Sequence, residues 1–349
     1  MHAVYWGGLL YMQIVIEGIE PYNELFFDNC FYNSFFPIIR AFHKDELPFF
    51  LNENIVYELS QKANEAVIGC RYRQRHSFAE LVDSLYLGAL TKHRSEDVTA
   101  DIKSAISKGR PVILWVDCYY EPIRLDTYLK EHWPHTLLVY GFDDNEQRFQ
   151  VIEHKHKENL SYEKQSLSYH DLQEAYRGYL QYFISEGHLT FYEIYELDGQ
   201  ELISGEFGKI EVVKHLSDLY SSQMGDVDKR GLAQLQKFED TVKHLQEEQY
   251  SSATYYSKVV EGLNKIINCK KVEKIRMAKL IDDPSILGTM DEIVNLWVQV
   301  RAVVAKTLYT NRMGSHIWPG ILDKLSKLVS LEGLIGTDIE IYCKRLQEK

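Results

Sequence analysis

Three side chains of this 349-residue chain have types and positions suited to nucleophilic chemistry: Cys30, His135 and Glu153. Cys30 stands in DNCFYNSFFPIIRAF, after the loop EPYNELFFDN and at the start of an apolar run of helical character. A cysteine at a helix start meets unpaired backbone N–H groups and the positive end of the helix dipole, which favour the nucleophilic thiolate. Two considerations pull the other way. An isolated cysteine is most often a small buried hydrophobe, and Pro37 interrupts a helix drawn through this run. His135 and Glu153 stand in HTLLVYGF and RFQVIE, which read as two strands joined by the polar turn DDNEQ. An antiparallel hairpin centred on Asp144 sets residues 135 and 153 opposite each other. Opposed residues project from one face with Cβ atoms about 4.5–5.5 Å apart. A carboxylate placed so holds an imidazole in one tautomer, as a nucleophile–His–acid triad requires. The same pair is equally read as an ordinary polar pair at a sheet end, and a one-residue bulge in the turn would break the register. Asp143 and Asp144 are alternative acids, better read as turn formers.

Other reactive types have plainer readings. Cys118, after the buried-looking strand PVILWVDC, is a packing residue or a second thiol. Arg71, Arg73 and Arg75 alternate along a strand, with His76 following. They make either a solvated edge face or a dock for an acidic partner or phosphate. The pairs His132/His135 and His154/His156 invite a metal reading, but no H-E-x-x-H occurs and 13 histidines bring close pairs by chance, so no metal site is expected. Phosphate-binding glycine loops and the G-x-S-x-G elbow are absent from the sequence.

The elements that must position these groups divide the chain. YMQIVIEGI, AVIGCRYR, PVILWVDC, HTLLVYGF, RFQVIE and LTFYEIYEL have strand character. SFAELVDSLYLGAL reads as a helix opened by a Ser77/Glu80 capping box, and EDVTADIKSAISK as a helix stopped by Gly109. Six of eight prolines precede residue 135, and from about residue 226 three long runs carry apolar residues at three-to-four spacing. This gives an α+β domain over 1–200, a linker over 201–225 and a helical domain over 226–349. A net charge of −12 argues against binding to phosphate backbones, so no nucleic-acid partner is expected. Five scattered cysteines read as reduced thiols, and the N-terminal run lacks the features of a signal peptide or membrane span. The expected setting is cytoplasmic, without a membrane partner.

GRPVILWVDCYYEP, then H-TLLVYGFDD, F-QVIEH and LSYHDLQEAY, resemble in order the N-terminal domain of the butirosin biosynthesis protein H family. That domain is in turn similar to papain-like C39 peptidases. The resemblance covers roughly residues 15–190, is strongest over 109–177, and extends weakly to the helical tail. It implies a papain-like (C39-like) cysteine-nucleophile domain with an antiparallel sheet, followed by a mostly helical C-terminal domain. It also implies an acyltransferase that takes an acyl group from a carrier-protein phosphopantetheine thioester and passes it to an amine. Cys30 matches the nucleophile, His135 the general base and acid, and Glu153 the orienting acid. The sequence departs from the pattern in three places. Asn29 stands where His is frequent, Glu153 where Asp is common, and no glutamine lies between Gln13 and Cys30 to serve an oxyanion hole. Asn23 or Asn29 is then the candidate amide donor, or backbone N–H groups serve alone.

No bound cofactor is implied, since the acyl group arrives on the carrier. The implied partners are an acyl or peptidyl carrier protein and an amine-containing small molecule, in nonribosomal-peptide or polyketide assembly. Carrier proteins are acidic, so docking falls to Arg71, Arg73 and Arg75. A homo-oligomer through the helical domain is also allowed. The competing readings are a cysteine peptidase or thioesterase using the same triad, and a non-catalytic scaffold.

Overall fold

The computed structural model describes residues 2–6, 9–62, 65–156, 159–197, 220, 230–244, 252–312 and 315–347. In chain order the strands are β1 (His2–Trp6), β2 (Leu9–Val15), β3 (Glu53–Lys62), β4 (Glu65–Gln74), β5 (Leu87–Lys92), β6 (Val112–Asp117), β7 (Pro134–Asp143), β8 (Arg148–His154), β9 (Tyr162–Ser168) and β10 (Phe191–Glu196). The helices are α1 (Cys30–Ala41), α2 (Leu47–Asn52), α3 (Phe78–Ser84), α4 (Val98–Ile106), α5 (Tyr169–Tyr182), α6 (Leu232–Lys243), α7 (Ala253–Leu280), α8 (Pro284–Tyr309) and α9 (Trp318–Gln347). The fold is α+β, an antiparallel sheet followed by a mostly helical region, as expected from the sequence.

The chain forms two compact units, Met1–Pro48 with His76–Glu201 and Phe49–Arg75 with Leu202–Lys349. The first unit holds an eight-stranded sheet in which β6 lies between β7 and β10, β5 flanks β10, and β8 and β9 extend from β7. All its pairings are antiparallel. The strand β6 reads as a nearly unbroken apolar run because both its faces are covered. Val112, Leu114, Val116, Leu137, Val139 and Val151 on one face pack with Val98, Ile102 and Ile106 of α4 and Leu172, Ala175 and Tyr176 of α5. Ser34 of α1 meets the opposite face through its bonds to Thr136.

Local sequence rules hold where the signal is capping. Ser77 and Glu80 form both halves of the capping box at α3, and Gly109, at φ +74°, follows α4 in the left-handed conformation that glycine accepts most easily. SFAELVDSLYLGAL, however, is not one helix. It stops at Ser84, turns at Tyr86 with φ +55°, and continues as β5. The pairing of β5 with β10 outweighs the helical spacing, which a run this short leaves ambiguous.

The second unit differs from the division drawn from proline placement. The β3–β4 hairpin pairs only with itself and groups with the helices, although it lies within the span 1–200. An isolated two-stranded ribbon cannot bury its apolar face alone. Here Ile55, Tyr57, Ile68 and Cys70 are buried, and α7 approaches β4 so closely that a Cβ on Gly262 would meet the Ile68 carbonyl oxygen at 2.1 Å. A buried ionic cluster ties the pieces together. Tyr57 donates to Glu332 Oε1 at 2.5 Å, Lys270 bridges Glu332 and Glu273 at 2.7 Å each, and Arg276 donates to the carbonyls of Phe50 and Glu53. Burial opposes the charge on Glu273, yet Lys270, Arg230 and Arg276 hold its carboxyl at about 2. The expected linker, 201–225, lies outside the described residues apart from Tyr220.

Candidate active site

Cys30 is the first residue of α1. Asn29 caps the helix, its Oδ1 accepting the Phe31 N–H at 3.0 Å. The helix runs on through Pro37 because residues Phe31 to Ile39 are all buried, and that burial outweighs one lost backbone bond. The half-buried Cys30 thiol lies close to Thr136, the neighbour of His135 in β7. Burial pushes the thiol up to about 11, against the opposing pull of Thr136 and of the backbone N–H of Cys30. The thiolate expected from the helix dipole is therefore not the resting form. A dipole supplies at most about 2 kcal/mol, and burial of the charge costs more.

His135 is buried, with Nε2 3.2 Å from Glu153 Oε1 but off the alignment of a hydrogen bond. Its ring stacks at centroid distances of 5.7 Å on His154 and 6.0 Å on Tyr162. Burial, reinforced by the Arg124 charge and by His154, holds its imidazole well below the usual histidine range, so the ring is neutral. Glu153 is wholly buried. Its Oε1 also accepts the His154 N–H at 2.7 Å and Arg124 Nη1 at 2.9 Å, while Oε2 has no hydrogen-bond partner. Burial and the neighbouring Glu121 raise the Glu153 carboxyl, and Arg124 pulls it down.

The route by which these two side chains meet differs from the expected one. At the turn the ladder pairs Asp143 with Arg148 and Gly141 with Gln150, then shifts at Tyr140 to pair Val139 with Val151 and Leu138 with Ile152. Continued one step, Glu153 falls opposite Leu137, so it faces His135 diagonally and not directly. Without the bulge, the turn's register would set Glu153 opposite Leu138 and on the other face. The bulge, which lies in the strand and not the turn, puts both side chains on one face.

The candidate oxyanion amides are engaged elsewhere. Asn23 donates from Nδ2 to the Tyr162 carbonyl at 2.9 Å and accepts the Tyr162 N–H at 2.8 Å. Asn29 caps α1 and donates to Asp28 Oδ2 at 3.1 Å. Arg71 and Arg73 lie on one exposed face of β4, with Arg75 just past its end, all in the second unit. Arg71 pairs with Glu58 at 2.6 Å. His132 and His154 have hydrogen-bond partners of their own. His132 Nδ1 meets Asp117 Oδ2 at 2.6 Å, and His154 Nε2 meets the Asn159 carbonyl. Among the described residues no group of three His, Cys, Asp or Glu is placed to hold a metal ion.

Sequence reasoning missed the loop 118–133 behind Glu153. Arg124 is wholly buried there with Cys118 and Glu121. Burial opposes the Arg124 charge, but Glu153, Cys118, Asp126 and Glu121 keep it firmly protonated. The only signal in EPIRLD is an arginine between two acids, which in a loop ordinarily marks a solvated pair. Near Cys30, the Tyr179 hydroxyl is pushed up to about 12, chiefly by burial, and its ring lies 5.5 Å from Trp115.

An antiparallel sheet followed by a mostly helical region is consistent with the family comparison. The family model described as butirosin biosynthesis protein H, N-terminal, matches residues 38–154. That span is about a third of the chain. The span includes His135 and Glu153 and begins after Cys30. No curated protein matches the chain. Among the described residues no helix is long and apolar enough to cross a membrane.

Proposed function

We propose that the chain is a cysteine-dependent acyltransferase that moves an acyl or peptidyl group from a carrier-protein phosphopantetheine thioester to an amine, by way of an acyl-S-Cys30 intermediate. The observation that carries this reading is the approach of His135 Nε2 to Glu153 Oε1, with the Glu153 carboxyl near enough to Cys30 to raise its thiol. Cys30 rests as a thiol and His135 as a neutral imidazole. In this reading the proton moves from Cys30 Sγ to His135 Nδ1 as sulfur attacks the thioester carbonyl carbon. The carbon–sulfur bond to pantetheine then breaks, and the departing thiol recovers the proton from the imidazolium. An amine next attacks the acyl-S-Cys30 carbonyl and gives a proton to His135, which returns it to the leaving Cys30 sulfur. Glu153 supports the imidazolium in both halves. With Asn23 and Asn29 engaged, the backbone N–H of Cys30 at the helix start is the proposed oxyanion donor.

Exchange between thioesters is nearly isoenergetic, so positioning and oxyanion stabilisation suffice. The proposed partners are an acidic carrier, docking on Arg71, Arg73 and Arg75, and an amine-bearing small molecule in specialised-metabolite assembly. Intact-protein mass spectrometry after incubation with acyl-carrier thioesters tests the reading. Wild type gains the acyl mass, Cys30→Ala does not, and Arg73→Glu slows acylation from the carrier but not from free acyl-pantetheine. Equal adducts on wild type and Cys30→Ala would move the station to another residue. Release of free acid with an amine present would favour the thioesterase reading.

A further inference from the structure

The loop 118–133 is clasped at its two ends by Asp117. Asp117 Oδ1 accepts the N–H groups of Tyr119 and Trp133, each at 3.1 Å, and Oδ2 meets His132 Nδ1. Inside the clasp Arg124 turns away from water. An arginine is seldom wholly buried unless its donors are met. Arg124 gives Nε and Nη2 to the two oxygens of Asp126 at 3.1 and 3.2 Å, and Nη1 to Glu153 Oε1 at 2.9 Å and Cys118 Sγ at 3.4 Å. The guanidinium is planar, so two bonds to Asp126 fix its plane and aim Nη1 at Glu153.

We infer that Arg124 is a positioning residue for the proposed transfer, holding the Glu153 carboxylate ionised and directed at His135 Nε2. The imidazolium formed when Cys30 loses its proton then has a fixed anion beside it. This inference rests on the triad reading above. The titratable groups around the Arg124–Glu153 pair are Cys118, Glu121 and Asp126 from the loop, His135 from β7, His154 from β8, Tyr162 from β9 and Cys30 from α1. Glu121 is buried beside Cys118, whereas Glu153 Oε1 has two N–H donors. The two bonds to Oε1 favour the Glu153 anion and oppose the burial that raises its carboxyl. A lysine at 124 keeps the charge but cannot make the fork.

The test needs no acyl donor. Iodoacetamide alkylation of Cys30 in the full chain, located by peptide mass spectrometry, is followed from about pH 6 to about pH 10 in wild type, R124K, E153Q and the double variant. R124K is expected to slow alkylation about fivefold near pH 7, the loss of roughly one hydrogen bond, and to move the inflection to higher pH. In the E153Q background R124K should change the rate less than about twofold, because the residue it orients is already gone. Equal slowing with and without E153Q, or an unmoved inflection, overturns the inference. Thermal melting checks folding, and D126N, which loosens the same guanidinium from the outer side, should shift the profile the same way more weakly. An unmoved D126N profile counts against the inference if R124K does not fold. A shifted profile without any acyl adduct on wild type would sink the transfer reading while leaving Arg124 in its role.

Discussion

Cys30, His135, Glu153 and Glu121 show how burial sets protonation at this site. The thiol is raised and the imidazole lowered, so both rest neutral. Glu121, wholly buried, has its carboxyl pushed to about 7 by burial, against the pull of Arg124. An unfolded chain releases that proton near pH 4.3, so the folded state holds an extra proton between the two values. Its contribution to stability is then full at about pH 4 and is lost as pH rises through about 7. His135 and His154 act in the opposite sense, because their depressed affinities contribute stability that is lost as pH falls below about 6.5. Glu121→Gln isolates the carboxyl. The variant should match wild type at about pH 4 and be more stable by about 3–4 kcal/mol at about pH 8, as read from denaturant midpoints. A difference independent of pH would mean that Glu121 does not hold the proton.

At the scale of elements, close backbone approach matters more than propensity. Gly262 lies inside α7, where alanine would ordinarily improve the helix by about 1 kcal/mol. Its missing Cβ makes room for the Ile68 carbonyl of β4. Gly262→Ala should therefore destabilise the second unit by about 1–3 kcal/mol, as overpacking does, and chemical denaturation would show it. A stabilised variant would mean that the hairpin yields easily. The β7 bulge belongs to the same scale. Strand character was legible in HTLLVYGF and RFQVIE, and so was the partnership of His135 with Glu153. The diagonal geometry was not, because a bulge depends on contacts along the whole ladder and leaves no mark in a period-two pattern.

At the scale of the molecule, chain order and spatial grouping disagree. Residues 49–75 belong with the helices far along the chain. A chain truncated after residue 200 keeps the β3–β4 hairpin but loses the helices that cover Tyr57, Ile68 and Cys70. Each such side chain is worth roughly 1.5–3 kcal/mol when buried, and the exposed ribbon invites edge pairing. The truncated chain should aggregate in size-exclusion chromatography where the full chain does not. A soluble, cooperatively melting fragment would overturn this grouping.

The chain by itself determined what local chemistry can write: the capping box at Ser77, the glycine stop at Gly109, the helix start at Cys30, the strand pair bearing His135 and Glu153, and the helical tail. Each rests on caps, turns and periodicity read from continuous stretches of sequence. Only the tertiary structure decided that Arg124 is buried against Glu153, that Asn23 is spent on Tyr162, that Cys30 rests as a thiol, and that the β3–β4 hairpin joins the helices. Those outcomes depend on desolvation and on partners brought together from distant parts of the chain, which no spacing along the sequence encodes.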